Sequence, residues 1–367
     1  MAYTTIDDSE IYFKQITYTG TGNVQALEGL NHKPDFLWVK NRSVNNDFKI
    51  TDSMRLASGA PTITLESNTT AAEYDDADPA STTSFDTDGF TIGTNDNYNT
   101  DDSTYVGWSW KCNGGTTTTN DASSTSIGNQ DSVYQANTTA GFSMVTWAGQ
   151  NQVGTMAHGL GAIPNFYLVK ARGGTENWGV YHHKNTAAPE TEFLNLNDNG
   201  ATADNTILCN DTAPTSTLFT VGDSGLANEN DKTYIGYFFA EKQGYSKFGS
   251  YIGNGNANGP YVHTGFKPAW VMVKKSTAAH SWYIQFNGET AGPSDGGASQ
   301  SRNPVKFSLT ANDPQTDATE NSMDFLSSGF KLRTTGNGHN TNDATYLYFA
   351  FAESPTVTSN GVPCNAA

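Results

Sequence analysis

Gly222-Asp223-Ser224-Gly225 has the residue types of a serine-nucleophile segment. Such a serine needs a histidine base and an acid that orients it. No flanking pattern supplies either. The histidines, His32, His158, His182, His183, His263, His280 and His339, are scattered along the chain, and no His-Glu-x-x-His run occurs. Strand neighbours point to opposite faces, so His182 and His183 cannot share a metal. Glycoside hydrolysis requires two carboxylates across one bond, and 37 acidic residues single out no pair. No catalytic residue is assigned, and no enzyme is expected. Oxygen-rich loops are the better candidates. Asn95, Asp96, Asn99 and Asp101, and Asn228 with Asp231, have ligand types suited to Ca²⁺. The same residues are also common turn formers. No other cofactor is expected. Three tyrosines, Tyr98, Tyr181 and Tyr261, are the candidate ligand-binding aromatics.

The composition bounds what can position these residues. Hydrophobic residues make up 36% and charged residues only 16%, with Thr, Asn, Ser, Asp and Gly carrying the polar balance. That profile suits strands joined by many turns rather than helices. A formal charge of −17 argues against a nucleic-acid partner. Cys112, Cys209 and Cys364 are far apart and odd in number, so neither a disulfide framework nor a zinc site is expected. No window of 18 apolar residues is present, and no membrane insertion is expected. The opening MAYTTIDDSEIYF has no basic or apolar leader segment, so no secretory signal is expected.

The chain repeats itself. PDFLWVK, PNFYLVK and PAWVMVK run from Pro34 to Lys40, Pro164 to Lys170 and Pro268 to Lys274. Eight residues after each Lys stands an aromatic: Phe48, Trp178 and Trp282. Upstream lie TYTGTGN, TWAGQN and SYIGNGN. Downstream, Asn99, Asn228 and Asn340 each precede by six residues a strand-opening tyrosine: Tyr105, Tyr234 and Tyr346. In the middle, ITLESN, LNLNDN and FSLTAND align on Leu65, Leu196 and Leu309. The first two copies are separated by extra Gly/Thr/Ser/Asn-rich sequence, which reads as a linker.

The expected architecture is all-β: three tandem divergent β-sandwich modules of jelly-roll or lectin-like type. They span 1–111, 141–243 and 244–355, with the linker at 112–140 and a polar tail at 356–367. The repeat columns read as structural. Each proline precedes a strand. Each lysine is expected to guard a strand edge or keep its charge in solvent while its stem packs, a contact with a carboxylate between strands or modules being the alternative. Trp178 is expected in a core. Val106, Trp108 and Trp110 alternate onto one face, as do Ile235, Tyr237 and Phe239, and Leu347, Phe349 and Phe351.

TYTGTGN, PDFLWVKNR, SFDTDGFTIG, YVGWSWK and HGLGAIPNFYLVKAR…WGVYH together resemble a repeat family of uncharacterised structural proteins of marine tailed phages, including cyanophages. The resemblance covers about residues 10–354. It implies a tail-fibre-like or lectin-like virion component made in the host cytoplasm, and it transfers no catalytic residue. On that basis the expected function is a non-enzymatic virion surface protein, a tail-associated adhesin for host glycans. An architectural capsid decoration protein without ligand is the alternative, and a glycan-degrading enzyme the third reading. Expected partners are other virion proteins, further copies of this chain in a homo-oligomer, and a host surface glycan.

Overall fold

The computed structural model describes residues 4–78, 80–287, 305–310, 313–314 and 322–354. The expected polar tail at 356–367 and Cys364 lie outside the described residues. The fold is nearly all β, with 43% strand and 3% helix.

The strands in chain order are β1 (Phe13–Thr19), β2 (Gln25–Glu28), β3 (Phe36–Asn41), β4 (Lys49–Asp52), β5 (Ile63–Glu66), β6 (Tyr74–Asp75), β7 (Thr82–Asp86), β8 (Gly89–Ile92) and β9 (Thr104–Trp110). Next come β10 (Thr118–Asn120), β11 (Ser132–Asn137), β12 (Phe142–Ala148), β13 (Gly154–Ala157), β14 (Phe166–Ala171), β15 (Gly179–His182), β16 (Glu192–Asn195), β17 (Ala203–Asp204), β18 (Leu218–Val221) and β19 (Thr233–Phe239). Last are β20 (Ser246–Ile252), β21 (Tyr261–His263), β22 (Lys267–Lys275), β23 (Trp282–Phe286), β24 (Val305–Ser308), β25 (Met323–Leu326), β26 (Gly329–Leu332) and β27 (Thr345–Ser354).

One strand order recurs three times. The first large sheet runs β1-β9-β3-β4-β5-β6, the second β12-β19-β14-β15-β16-β17 behind an added β10-β11 edge, and the third β20-β27-β22-β23-β24. Each is covered by a small sheet: β2-β8-β7, β13-β18 and β21-β26-β25. We call each large sheet with its cover a unit.

Side-chain alternation explains why the repeated Pro-to-Lys strands read as near-continuous apolar runs. In β3, Phe36 and Trp38 point one way, while Leu37 and Val39 point toward the small sheet. β14 divides in the same manner, with Phe166 and Leu168 opposite Tyr167 and Val169. Strands buried on both faces have no polar face to alternate with. The inner faces of all three large sheets meet in one core, which holds Phe36, Trp108 and Trp110 of the first unit, Phe142, Tyr237 and Phe239 of the second, and Trp270, Phe349 and Phe351 of the third. Aromatic edges join the units directly: Phe36 to Tyr237 at 4.8 Å, Phe166 to Phe349 at 4.3 Å and Trp108 to Phe286 at 5.3 Å between centroids. Each sandwich therefore shares its second face with the other two instead of exposing it.

Two sequence expectations change here. Residues 112–140 hold regular structure: β10, a short helix α1 (Ala122–Thr125) and β11, which pairs with β12 and extends the second sheet. Composition hid this because polar side chains secure the segment. Gln130 and Asn228 exchange amide hydrogen bonds at 2.9 and 3.0 Å, and the Gln135 amide donates to Ser53 Oγ across the unit boundary at 2.9 Å. Strand pairing also satisfies the backbone without a large apolar area. The second change is a two-residue shift in the middle alignment. Leu65 pairs with Ile50, and Leu194 and Phe307 occupy the same place opposite Val180 and Ile284. Leu196 and Leu309 correspond to Ser67, whose amide likewise donates to the column aromatic's carbonyl.

One glycine column is required by close approach. A Cβ on Gly20, Gly149 or Gly253 would stand 2.1, 1.9 or 2.2 Å from the carbonyl oxygen of Thr100, Glu229 or Thr341. No side chain fits there.

Candidate functional site

The repeat columns turn out to lock the units together. Lys40, Lys170 and Lys274 are fully buried, contrary to the solvent-facing or edge-guarding role expected of them. They sit on the inner faces of β3, β14 and β22 beyond the last apolar residue. Each ammonium donates to the backbone carbonyl six residues on, at Asn46, Glu176 and His280. Lys170 also reaches Thr70 O of the first unit at 3.1 Å, and Lys274 reaches Asn199 O of the second at 3.1 Å. Burial pulls all three down to about 8. For Lys40 the carboxylates of Asp47 and of Asp313, in the third unit, pull the other way.

The column aromatics follow the same rotation. Trp178 Nε1 donates to Glu66 O at 2.9 Å, Trp282 Nε1 donates to Asn195 O at 2.8 Å, and Phe48 packs edge-on against Phe307 at 5.8 Å. The second unit thus rests on the first, the third on the second and the first on the third. The ends of β4, β15 and β23 close the ring in the opposite sense. Tyr237 donates to Asp52 Oδ2 at 2.6 Å, His182 lies 4.8 Å from Phe349, and Phe286 meets Trp108. Asp52 and Arg55 form an ion pair of 2.7 Å with both side chains fully buried. Arg172 reaches across to Glu73 at 2.8 Å.

Tyr105, Tyr234 and Tyr346 share one local task. Each hydroxyl accepts from a backbone amide, of Thr100, Glu229 or Thr341, and donates to Asp96 O, Gly225 O or Asn337 O. Pro268 lies on a bulge in β22, while Pro34 and Pro164 precede β3 and β14.

The candidate ligand tyrosines separate. Tyr98 is fully buried, with its hydroxyl 3.0 Å from Thr64 Oγ1. Tyr181 is buried and stacked on Tyr167 at 4.8 Å. Neither can meet a ligand, because each closes the core between its large and small sheet. Tyr261 is 45% exposed, with its hydroxyl 2.8 Å from Ser328 Oγ and 3.3 Å from His263 Nδ1.

In the candidate calcium loops, Asn99 and Asn228 are buried and spend their amides on loop ties. Asn99 donates to Gly93 O at 2.7 Å, and Asn228 to Gln152 O at 2.8 Å. Asn95 accepts from Asn97 N as a helix cap. Asp96, Asp101 and Asp231 are exposed. Among the described residues, no group of three or more His, Cys, Asp or Glu could hold a metal ion.

Ser224 donates to Ile207 O at 2.9 Å. His158, buried, accepts from Leu160 N at Nδ1 and faces Thr215 O through Nε2. Burial holds His32 and His158 near 4, and His182 and His339 near 3. These rings are neutral packing groups near neutral pH.

A groove of about 370 Å³ lies between the first and third units. Its wall includes Lys14, Gln15 and Ile16 of β1, with Glu28 and Gly29, and Asn287 and Glu353 opposite. Sequence reasoning missed it, because it forms where β1 of one unit meets another. Its carboxylates Glu10 and Glu353 are ion-paired with Lys14 and Lys267, each at 2.7 Å.

These features define an all-β protein whose repeated residues hold three sandwiches to one core. The chain belongs to the family described as Domain of unknown function (DUF7483), whose model matches residues 8–355. That match runs through all three units and the segment between the first two. No curated protein and no solved structure matches the chain.

Proposed function

We propose that this chain is a non-enzymatic architectural protein of a phage particle's exterior, acting through contact surfaces. The observation that carries this reading is the use of the repeat columns. Lysines, tryptophans, tyrosines and asparagines at recurring positions are consumed by intramolecular locking, which leaves no recurring exposed ligand constellation among the described residues. The resemblance to structural proteins of marine tailed phages supplies the setting: synthesis in the host cytoplasm, virion partners and assembly as a symmetric homo-oligomer. A rigid body with one shared core suits a part that must hold its shape between neighbours. Imaging of intact particles tests this directly. Regular placement of the chain on the head or tail, with no saturable binding of purified protein to host cells, is the expected result. Absence from the particle refutes the proposal.

Tyr261, exposed beside His263 and Ser328, favours a second reading as a glycan-binding adhesin. An exposed aromatic ring with neighbouring hydrogen-bonding groups is suited to stack on a sugar. Cell adsorption lost on Tyr261→Ala would support it. Adsorption unaffected by that change would remove it.

A further inference from the structure

Asparagine followed by glycine is chemically labile where the glycine nitrogen can attack the side-chain amide. Five such pairs lie wholly within the described residues: Asn113-Gly114, Asn199-Gly200, Asn254-Gly255, Asn258-Gly259 and Asn337-Gly338. In four of them the glycine amide is tied. Gly114 N donates to Asp35 Oδ2 at 2.9 Å, Gly200 N to Asp198 Oδ1 at 2.7 Å, Gly255 N to Asn340 O at 2.9 Å and Gly259 N to Leu332 O at 3.1 Å. Gly338 N, among the described residues, has no acceptor, whereas the next two amides, of His339 and Asn340, both donate to Gly336 O. The opening of a helical turn leaves such an amide without an internal partner.

The amide under attack is held as well. The Asn337 side chain is on an exposed residue, and its Oδ1 accepts from Thr341 Oγ1 at 3.1 Å. That hydroxyl accepts in turn from the Lys275 ammonium at 3.1 Å, which leaves its own proton for the amide oxygen. The same hydroxyl lies 3.5 Å from Asn337 O, a longer contact. A hydroxyl backed by a cation is suited to the negative charge that grows on a carbonyl oxygen under attack. A Cβ on Gly338 would stand 2.4 Å from Tyr283 Cε2, so the position is kept for the residue that shields its own nitrogen least.

We propose that Asn337 is a site of spontaneous deamidation assisted by Thr341. The Gly338 nitrogen attacks Asn337 Cγ, the bond from Cγ to Nδ2 breaks, and ammonia leaves carrying the proton of the Gly338 amide. Water then opens the resulting succinimide at either carbonyl, giving aspartate or isoaspartate, with no change of oxidation state. The hydroxyls of Tyr105, Tyr234 and Tyr346 donate to Asp96 O, Gly225 O and Asn337 O, so these three residues share one place in the repeat. An aspartate therefore already stands in the equivalent loop of the first unit. Isoaspartate carries an extra backbone carbon and displaces the carbonyl that Tyr346 donates to. This chemistry belongs to the chain itself and is independent of the particle setting.

The full chain, incubated in mildly alkaline buffer, would be sampled by peptide mapping with mass spectrometry, the four tied pairs serving as internal references. Asn337 is expected to convert at least about threefold faster than any of them in folded protein, and the advantage should vanish in urea. Thr341→Val should slow conversion about two- to tenfold, the worth of one hydrogen bond, and Thr341→Ser should restore it. Asn337→Asp should unfold with the unaltered chain. Protein carrying isoaspartate should instead show faster hydrogen exchange at the Thr341 amide, which donates to the Tyr346 hydroxyl at 2.9 Å. Conversion at Asn337 no faster than at the tied pairs overturns the proposal, and that comparison needs no variant. An unchanged rate in a folded Thr341→Val chain overturns the assistance assigned to the hydroxyl.

Discussion

The shared core makes a sharp prediction about the second unit taken alone. A chain of residues 141–243 contains the small sheet and large sheet of one sandwich, so the sequence pattern alone would allow it to fold. In the structure, eleven of its apolar side chains belong to the common core: Phe142, Met144, Phe166, Leu168, Trp178, Val180, Leu194, Leu196, Ile235, Tyr237 and Phe239. Full exposure of such a side chain costs about 1.5–3 kcal/mol. Half exposure of all eleven therefore costs about 8–16 kcal/mol. Typical domains are stable by about 5–15 kcal/mol in total. The fragment also loses β11 and the Trp178 bond to Glu66. It is expected to aggregate, or to bind hydrophobic dye without dispersed amide resonances, while the full chain unfolds in one cooperative transition. A dispersed spectrum and cooperative melting for the fragment would refute the single-core argument.

Other outcomes follow from individual locks. Arg55→Met leaves Asp52 buried without its cation and should cost about 3–5 kcal/mol in urea unfolding; Tyr237→Phe, which removes one bond to that carboxylate, should cost about 1.5–3 kcal/mol. Lys170→Met should destabilise by about 1–3 kcal/mol by stranding the carbonyls of Thr70 and Glu176. The three buried lysines titrate near 8 when folded and near 10.5 when unfolded. The unfolded chain then binds more protons above pH 8, so stability should rise between pH 8 and 9.5, less steeply in Lys170→Met. The four buried histidines work at the acid end. Their folded values of about 3 to 4 lie below the ordinary 6.5, so their contribution is complete above pH 6.5 and should fall away as pH drops toward 4. Urea midpoints measured across pH check both slopes, and flat profiles would contradict them.

Much of the fold was legible in the chain itself. Column spacing located the recurring strands, and the period-two alternation of Val106, Trp108 and Trp110 marked one buried face. The glycine and asparagine columns marked turns, because no side chain fits at the glycines and the asparagine amides tie the loops. The apolar runs ending in Lys40, Lys170 and Lys274 also carried the signal of burial on both faces, since no polar alternation interrupts them. What the sequence could not state was the partner of the second face. Period-two patterning reports that a face is buried, not by what. Only the tertiary structure decided that three inner faces meet each other, that a lysine at a strand end lies inside against carbonyls of the neighbouring unit, and that Tyr98 and Tyr181 close cores while Tyr261 faces solvent. It also decided the fate of residues 112–140, where hydrogen bonds from Gln130 and Gln135 hold a polar segment in place. Those bonds join residues up to about a hundred positions apart, and local composition has no access to contacts at that range.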